Sequence, residues 1–143
     1  MKPLDPHESI GFHCALTLKA FMGALESKLK GTDVSKAQFL ALEHLILSGP
    51  LSQAELVACL SITPATGARL VDRMVRDGWV KRRADPRDGR VNQVVPTKRI
   101  TRMWPELRRT GRELLDQAYR EIKPAEIETV KRVLKKIRRN LQA

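Results

Sequence analysis

The sequence predicts a mainly α-helical chain with one small β-hairpin, and three observations support this fold class. Most of the 143 residues fall in stretches where apolar side chains recur every three or four positions, the spacing of a helix that packs on one side. Two short segments that read as strands, WVKRR at 79–83 and VNQVV at 91–95, flank a turn at 85–90 that contains Pro and Asp-Gly. The length also fits one domain, for which about 100–200 residues are usual.

The first predicted helix covers 10–30, with Ser9 as its N-cap and 31–33 as its end. Its apolar residues alternate between spacings of four and three. This heptad-like seam suits either an intramolecular core or contact with a second subunit. The seam comprises Ile10, Cys14, Leu18, Phe21, Leu25 and Leu29.

Capping boxes predict the starts of the next two helices. Ser35 with Gln38 begins the second helix, which the Ser-Gly-Pro sequence at 48–50 breaks, and Ser52 with Glu55 begins the third. Both helices have apolar residues at helical spacing, so each is expected to pack one side against a core.

The third and fourth predicted helices form a helix-turn-helix. The third runs from Gln53 to about Leu60, and a tight turn leads into the fourth. The fourth helix begins at Thr63, has Pro64 in its first turn and stops at Gly78. In proteins that use this motif, the second of the two helices lies in the major groove of DNA.

Two further helices are predicted after the hairpin. Residues 96–97 open a long helical region, and Pro105 inside it must kink or interrupt the helix, because proline removes one backbone hydrogen bond and clashes with the preceding turn. Pro124 starts the final helix. Its apolar residues recur at spacings of three and four and are Ile127, Val130, Leu134, Ile137 and Leu141.

The net charge of +11 indicates a polyanionic partner, of which nucleic acid is the commonest. Charges nearly cancel up to residue 68, whereas 69–97 carry eight basic against four acidic residues and 98–143 carry fourteen against six. The basic residues of the final helix are either a solvated outer face, the preferred interpretation, or a second contact with flanking DNA. They include Lys131, Arg132, Lys135, Lys136, Arg138 and Arg139.

Several classes of protein are not expected. No apolar run approaches the ~18 residues that span a membrane, and the first eight residues lack the apolar core of a signal peptide. Two cysteines suit neither a disulfide framework nor a four-ligand zinc site, so a cytoplasmic protein without a membrane partner is expected. No phosphate-binding glycine loop, metal motif or nucleophile constellation supports an enzyme or a cofactor.

The stretch LVDRMVRDGWVKR at 70–82, followed by the D-x-R-x-x-R sequence at 85–90, resembles the MarR family of transcription regulators. The segment at 51–56 and the order of elements from Ile10 to Leu141 resemble that family as well. The resemblance implies a winged helix-turn-helix regulator that works as a dimer on double-stranded DNA.

The same resemblance implies a division of the chain. Residues 1–143 would form a single MarR-like chain, with a winged helix-turn-helix DNA-binding region at 35–97. The helical regions at 9–30 and 98–143 would form the dimerisation region.

The fourth helix is predicted to read DNA. On a wheel of about 100° per residue, residues 63–77 divide into an apolar side and a polar side. Arg73 and Arg76 are predicted to meet phosphates, and the alternative for each arginine is a solvated helix face. An arginine near the helix start can bond bidentately to guanine, and methyl groups there can touch thymine. The residues predicted to face bases are Thr63, Pro64, Ala65, Thr66 and Arg69.

In the wing, the resemblance implies that Arg87 enters a minor groove, whose negative potential attracts a guanidinium. Asp85 and Arg90 are spaced to pair across the turn and shape the loop, although Arg90 could equally contact a phosphate. Gly89 completes the Asp-Gly turn. The three basic residues at 81–83 alternate along a strand, so they cannot all face DNA.

The resemblance also implies a small aromatic or phenolic effector that binds between the dimerisation arm and the winged region. Cys14 is a possible redox sensor, but it lies on the apolar seam, where a buried thiol is normally inert. Cys59 is predicted to pack in the core. No ligand spacing supports a metal site built from His7, His13, His44 and Cys14, so no metal is expected.

Together these observations predict a sequence-specific, ligand-responsive transcriptional repressor that binds a pseudo-palindromic operator as a homodimer. One alternative is a redox-responsive regulator acting through Cys14. Others are a non-specific architectural nucleic-acid-binding protein and a winged-helix module that binds protein rather than DNA.

Overall fold

The computed structural model describes residues 4–143, and the predicted fold class is confirmed in that part of the chain. A short 3₁₀ turn, Pro6–Glu8, precedes the first helix. The helices and strands that follow are α1 (Ile10–Leu29), α2 (Lys36–Ser48), β1 (Leu51–Ser52), α3 (Gln53–Leu60), α4 (Pro64–Arg76), β2 (Val80–Ala84), β3 (Asn92–Pro96), α5 (Lys98–Ala118) and α6 (Pro124–Gln142).

The sheet contains one strand more than the predicted hairpin. Its order is β1-β3-β2, and both pairings are antiparallel. Leu51 pairs with Val94 in the added ladder, and Arg82 pairs with Val94 on the other side. A strand of two residues is too short to show the alternation by which strands are recognised in a sequence, which is why β1 was missed.

One hydrophobic core joins the second half of α1 to α2, α4, the sheet and α5. Leu25 and Leu29 of the α1 seam are buried in it, whereas Ile10, Cys14 and Leu18 are exposed. The seam therefore serves the core of the chain only at its C-terminal end. The largest fully buried side chains include Trp79, Leu42, Leu45, Leu56, Met74 and Ile100.

Three of the four predicted N-caps, those of Ser35, Ser52 and Thr63, form hydrogen bonds. Ser35 and Gln38 make the complete capping box, with bonds of 3.2 and 3.1 Å. Ser52 accepts a hydrogen bond from the Glu55 N–H at 3.1 Å, without a return bond. Ser9 stands at the N-cap position of α1, but its side chain forms no capping bond; its N–H instead closes the 3₁₀ turn on the Pro6 carbonyl at 3.0 Å.

Helix α5 runs without a break from Lys98 to Ala118 with Pro105 inside it, so of the two predicted outcomes the interruption is wrong and the kink stays a prediction. The buried residues Ile100 and Leu107 lie on either side of Pro105. Burial of both turns against the core stabilises the helix across the proline, in the way that tertiary packing overrides local propensity.

Helices α3 and α4 are bent by 112° at their connection, which matches a helix-turn-helix. Ser61 makes the corner in the left-handed region, with φ 52° and ψ 44°. Gly67 allows the two helices to approach, because a Cβ atom there would collide with Cγ2 of Val57. Among the described residues no single helix is long and apolar enough to cross a membrane; α3 and α4 pass that test only as a bent pair.

Candidate nucleic-acid interface

Helix α4 begins with a closed cap. The Thr63 hydroxyl accepts a hydrogen bond from the Thr66 N–H at 3.2 Å and donates one to the Thr66 hydroxyl at 2.9 Å. Pro64 occupies the first helical position, where a missing N–H costs nothing. Since the Thr63 hydroxyl is used on both sides, the methyl groups of this turn are its main free chemistry toward a ligand.

The outward side of α4 brings the predicted reading residues together. Gly67, Leu70, Val71 and Met74 are buried, and the opposite side of the helix faces solvent. All the predicted DNA-contacting residues of this helix are exposed, namely Thr63, Pro64, Ala65, Thr66, Arg69, Arg73 and Arg76.

The end of α4 is held to α2 by a charged hydrogen bond. The buried Gln38 amide donates to a carboxylate oxygen of Asp77 at 2.9 Å, and Arg76 Nε lies 3.4 Å from the other oxygen. The Gln38 bond, followed by the bond and charge of Arg76 and the charge of Arg73, lowers the pKa of Asp77. The carboxylate therefore stays charged at the C-terminal end of α4.

The wing tip is shaped by two short-range turns rather than by the predicted Asp85–Arg90 pair. Asp85 accepts a hydrogen bond from the Arg87 N–H at 2.8 Å, and Asp88 accepts from the Arg90 N–H and Nε at 3.1 and 3.2 Å. The predicted pairing is wrong because each aspartate has a backbone donor two residues ahead of it, closer than any partner across the loop.

Both wing arginines extend into solvent. The side chains of Arg87 and Arg90 are 91% and 92% exposed. Gly89 lies in a turn closed by a bond of 3.0 Å from the Val91 N–H to the Asp88 carbonyl, as the sequence predicted for an Asp-Gly turn. The tip therefore presents two exposed cations on a short, locally braced loop.

Arg82 connects the wing to the helix-turn-helix, a role that the sequence did not indicate. Its guanidinium donates to Asp72 of α4 at 2.7 Å and to Gln53 of α3 at 3.4 Å. One side chain on β2 thus contacts both helices of the motif. The three residues are far apart in sequence, and no spacing rule relates them, so only the fold could show this contact.

The start of α5 holds the corner between α4 and β2 in place. Gly78 is in the left-handed region with φ 81°, and its carbonyl accepts from the Thr97 hydroxyl at 2.6 Å. Arg99 lies 4.4 Å above the ring of the buried Trp79 and donates to the Asp77 carbonyl at 2.9 Å. These contacts hold the wing in one orientation beside α4.

Two grooves border the arm of the molecule, by which we mean helices α1, α5 and α6. One, of about 560 Å³, lies between α1, α2 and α5, with apolar walls that include Phe21, Met22 and Phe39. The other, of about 570 Å³, lies on the other side of α2, and both are lined by Glu43 and Arg108. Burial raises the pKa of Glu43, against a smaller opposite effect of the neighbouring His44.

The cysteines and histidines do not form a site. Cys14 and Cys59 are both exposed in the single chain, so the predicted packing of Cys59 in the core is wrong, and Cys14 takes no part in the core of this chain. Cys14 lies on the half of α1 that extends past the core. His13 Nε2 lies 2.7 Å from the His7 carbonyl oxygen, and within residues 4–143 no group of three metal-ligating side chains forms.

A helix-turn-helix followed by a hairpin that lies beside its second helix defines a winged helix-turn-helix protein. The sequence pattern of the MarR family matches residues 32–91, which span this unit from before α2 to the wing. The Pseudomonas putida transcriptional repressor IacR is 27% identical over 118 residues, which are 82% of this chain and 71% of that protein.

Two solved structures share the fold over nearly the whole chain. A mutant of Escherichia coli MarR complexed with operator DNA matches with a TM-score of 0.80 and 25% identity, over 90% of this chain and 92% of that one. CouR from Rhodococcus jostii RHA1, bound to p-coumaroyl-CoA, matches with a TM-score of 0.84 and 19% identity, over 94% and 95%. The winged unit at 32–91 therefore matches the MarR family, and the whole chain shares the fold of the solved MarR structure.

Proposed function

We propose that this protein is a sequence-specific transcriptional repressor that binds a pseudo-palindromic operator as a homodimer and releases it when a small aromatic effector binds. Residues 35–97 would be the DNA-binding region, and 9–30 with 98–143 the dimerisation region. The observation that carries the proposal is that the outward side of α4 and the wing form one surface. Arg82 of the wing holds the two together, because its guanidinium donates to the Asp72 carboxylate of α4 at 2.7 Å.

On that surface the residues divide by position. The first turn of α4 and Arg69 would contact base edges, because the N-terminal half of a recognition helix enters the major groove. Arg73 and Arg76 lie further along and would bind phosphates. Arg87 and Arg90, exposed on a braced loop, would reach the adjacent minor groove and its phosphates.

Dimerisation is supported by apolar side chains that the single chain leaves uncovered. A set of this size is expected to meet a partner surface. Two copies would place their α4 helices about 34 Å apart, on successive major grooves. The exposed set on the helices of the arm and the loop between α5 and α6 includes Ile10, Leu18, Leu115, Ile122, Val130 and Leu141.

Effector binding is supported by the groove of about 560 Å³ between α1, α2 and α5. Its aromatic and aliphatic walls suit a ring, and Arg108 and Arg112 at its edge suit a carboxylate or phenolate. We expect a phenolic acid such as 4-hydroxybenzoate to weaken operator binding, and Arg108→Ala to reduce that response. An equal response in Arg108→Ala and wild type, measured by fluorescence anisotropy, would place the effector elsewhere.

Repression is supported by the relative IacR, whose name states that it is a transcriptional repressor. A dimer that covers its operator would also block access to that stretch of DNA. Selection of bound duplexes from a random pool tests the proposal directly. A recovered palindrome with half-sites one helical turn apart is the expected result. A specific-to-non-specific affinity ratio below about 10³ at physiological salt would instead favour a non-specific architectural protein.

Two arginine variants test the assigned roles on the recovered operator. Arg69→Ala should cost about 1–3 kcal/mol and relax the preference at one base pair. Arg76→Ala should weaken binding to every sequence alike and lower the salt slope by about one. Equal loss on all sequences for both variants would contradict the division between base and phosphate contacts.

A further inference from the structure

The basic side of α6 has no role in the proposed operator complex, and four of its residues form one stripe. Arg132, Lys135, Lys136 and Arg139 stand at positions i, i+3, i+4 and i+7, which share one face of a helix. All four are exposed and none forms an ion pair within the described residues. We call these four residues the α6 stripe.

The other side of α6 is apolar. Ile127, Leu134 and Ile137 are half-buried, and Val130 is more exposed, at positions opposite the α6 stripe on a helical wheel. No residue of the helix is fully buried. Helix α6 therefore offers its apolar side to protein, which we assign to the second subunit, and its basic side to solvent.

The position of α6 separates the stripe from the operator. Helix α5 starts at the base of the wing, where the Thr97 hydroxyl donates to the Gly78 carbonyl at 2.6 Å. Its 21 residues span about 30 Å, and α6 begins beyond the far end without packing along α5 as a hairpin. A duplex held by α4 and the wing is therefore not the surface that the stripe meets.

We propose that the α6 stripe binds a second segment of double-stranded DNA through its phosphates, so that one dimer bridges two duplex regions. The inference rests on the proposed function, since an operator must occupy the winged helix-turn-helix. Four cations within about 10 Å of helix face a polymer that carries one charge per about 1.7 Å. Glu128, one turn before Arg132 on the same face, pairs with Lys131 at 2.8 Å, so the four cations of the stripe keep their charge unpaired within the described residues.

An anionic membrane is a poorer match for the same stripe. Interfacial helices insert an apolar side that carries Trp or Phe as well as Leu, whereas residues 124–142 contain no aromatic residue. In the proposed dimer that apolar side is also covered by protein. Vesicle binding is therefore the competing outcome of the test rather than the expected one.

The test is capture of a second duplex. Wild-type protein is bound to an immobilised operator duplex, the excess is washed away, and a labelled duplex of random sequence is added at several salt concentrations. The stripe variant carries Arg132→Gln, Lys135→Gln, Lys136→Gln and Arg139→Gln, since glutamine is a good helix former. A control variant of the same net charge changes four other exposed cations and carries Lys19→Gln, Lys30→Gln, Arg102→Gln and Arg120→Gln.

Wild type and the control variant should capture the labelled duplex. The stripe variant should bind it at least about tenfold more weakly, with a salt slope reduced by about three to four. Equal loss in both variants would show that net charge alone acts, and would overturn the proposal. Vesicles of phosphatidylserine that bind through the stripe, with no duplex captured, would also overturn it.

Operator affinity measured in the same samples separates the two proposals. Wild-type protein that binds no operator contradicts the proposed function. Wild-type protein that binds its operator but captures no second duplex contradicts the role of the α6 stripe alone.

Discussion

The winged unit and the arm of this molecule are built in different ways. From α2 to β3 the chain buries Phe39, Leu42, Met74 and Trp79 and links its elements by specific polar contacts. In the arm, the first half of α1 and the whole of α6 have no fully buried residue. The geometry of the winged unit is therefore decided within one chain, whereas the arm leaves apolar side chains of α1 and α6 exposed in the single chain.

The largest effect we expect comes from changes in the arm that leave the winged unit intact. The double change Val130→Asp and Ile137→Asp should raise the dissociation constant of the dimer on the order of 100-fold, because it places charges in the apolar side of α6. The winged unit should stay folded. Sedimentation velocity gives the oligomeric state, and circular dichroism the helix content.

A matched control adds the same charge elsewhere on the helix. Thr129→Asp with Gln142→Asp avoids the apolar side and should leave the dimer intact. A monomer in both double variants would mean that charge, rather than burial, governs the assembly. A dimer in both would remove α6 from the interface.

The next effect concerns the core of the winged unit. Gly67→Ala should lower the free energy of unfolding by about 1–3 kcal/mol, since its methyl group would collide with Val57 across the α3–α4 contact. Gly23→Ala is the control in the arm. It meets open space within α1 and should raise stability by about 0.5–1 kcal/mol. Urea unfolding measures both, and the same sign for the two variants would contradict the comparison.

The smallest effect concerns the contact that holds the wing. Removal of the Arg82 or Asp72 side chain by Arg82→Ala or Asp72→Ala should cost at most about 1 kcal/mol of stability, because the pair is partly exposed. A double-mutant cycle on operator affinity should show that the two changes are not additive. Lys81→Ala, on the neighbouring strand position, is the control. Additive losses would mean that Arg82 acts on DNA directly rather than through the wing.

Local chemistry explains how much of the fold the sequence predicted. The Ser35 capping box, the Pro64 start of α4 and the left-handed Gly78 each depend on neighbours within a few residues, and all three are confirmed. Strand β1 and the path of α5 through Pro105 depend on partners distant in sequence. For that reason β1 was missed, and the sequence left open whether Pro105 kinks or interrupts α5.

The candidate site follows this division only in part, because two of the contacts that the sequence did not reveal are local. Helical spacing was enough to place Arg69, Arg73 and Arg76 on the exposed side of α4. It could not show that Asp85 and Asp88 each bond the residue two positions ahead. Nor could it show that Cys59, inside an amphipathic pattern, is exposed, because burial depends on what packs over each face.

The sequence by itself determined the order of the helices, the exposed face of α4 and the basic character of the C-terminal half, because periodicity, capping and charge are properties of neighbouring residues. Only the tertiary structure decided that Arg82 ties the wing to α3 and α4 and that Gln38 holds Asp77 at 2.9 Å. It also decided that the α1 seam is buried at one end only. Such contacts join residues through the packing of whole elements, and no spacing along the chain records them.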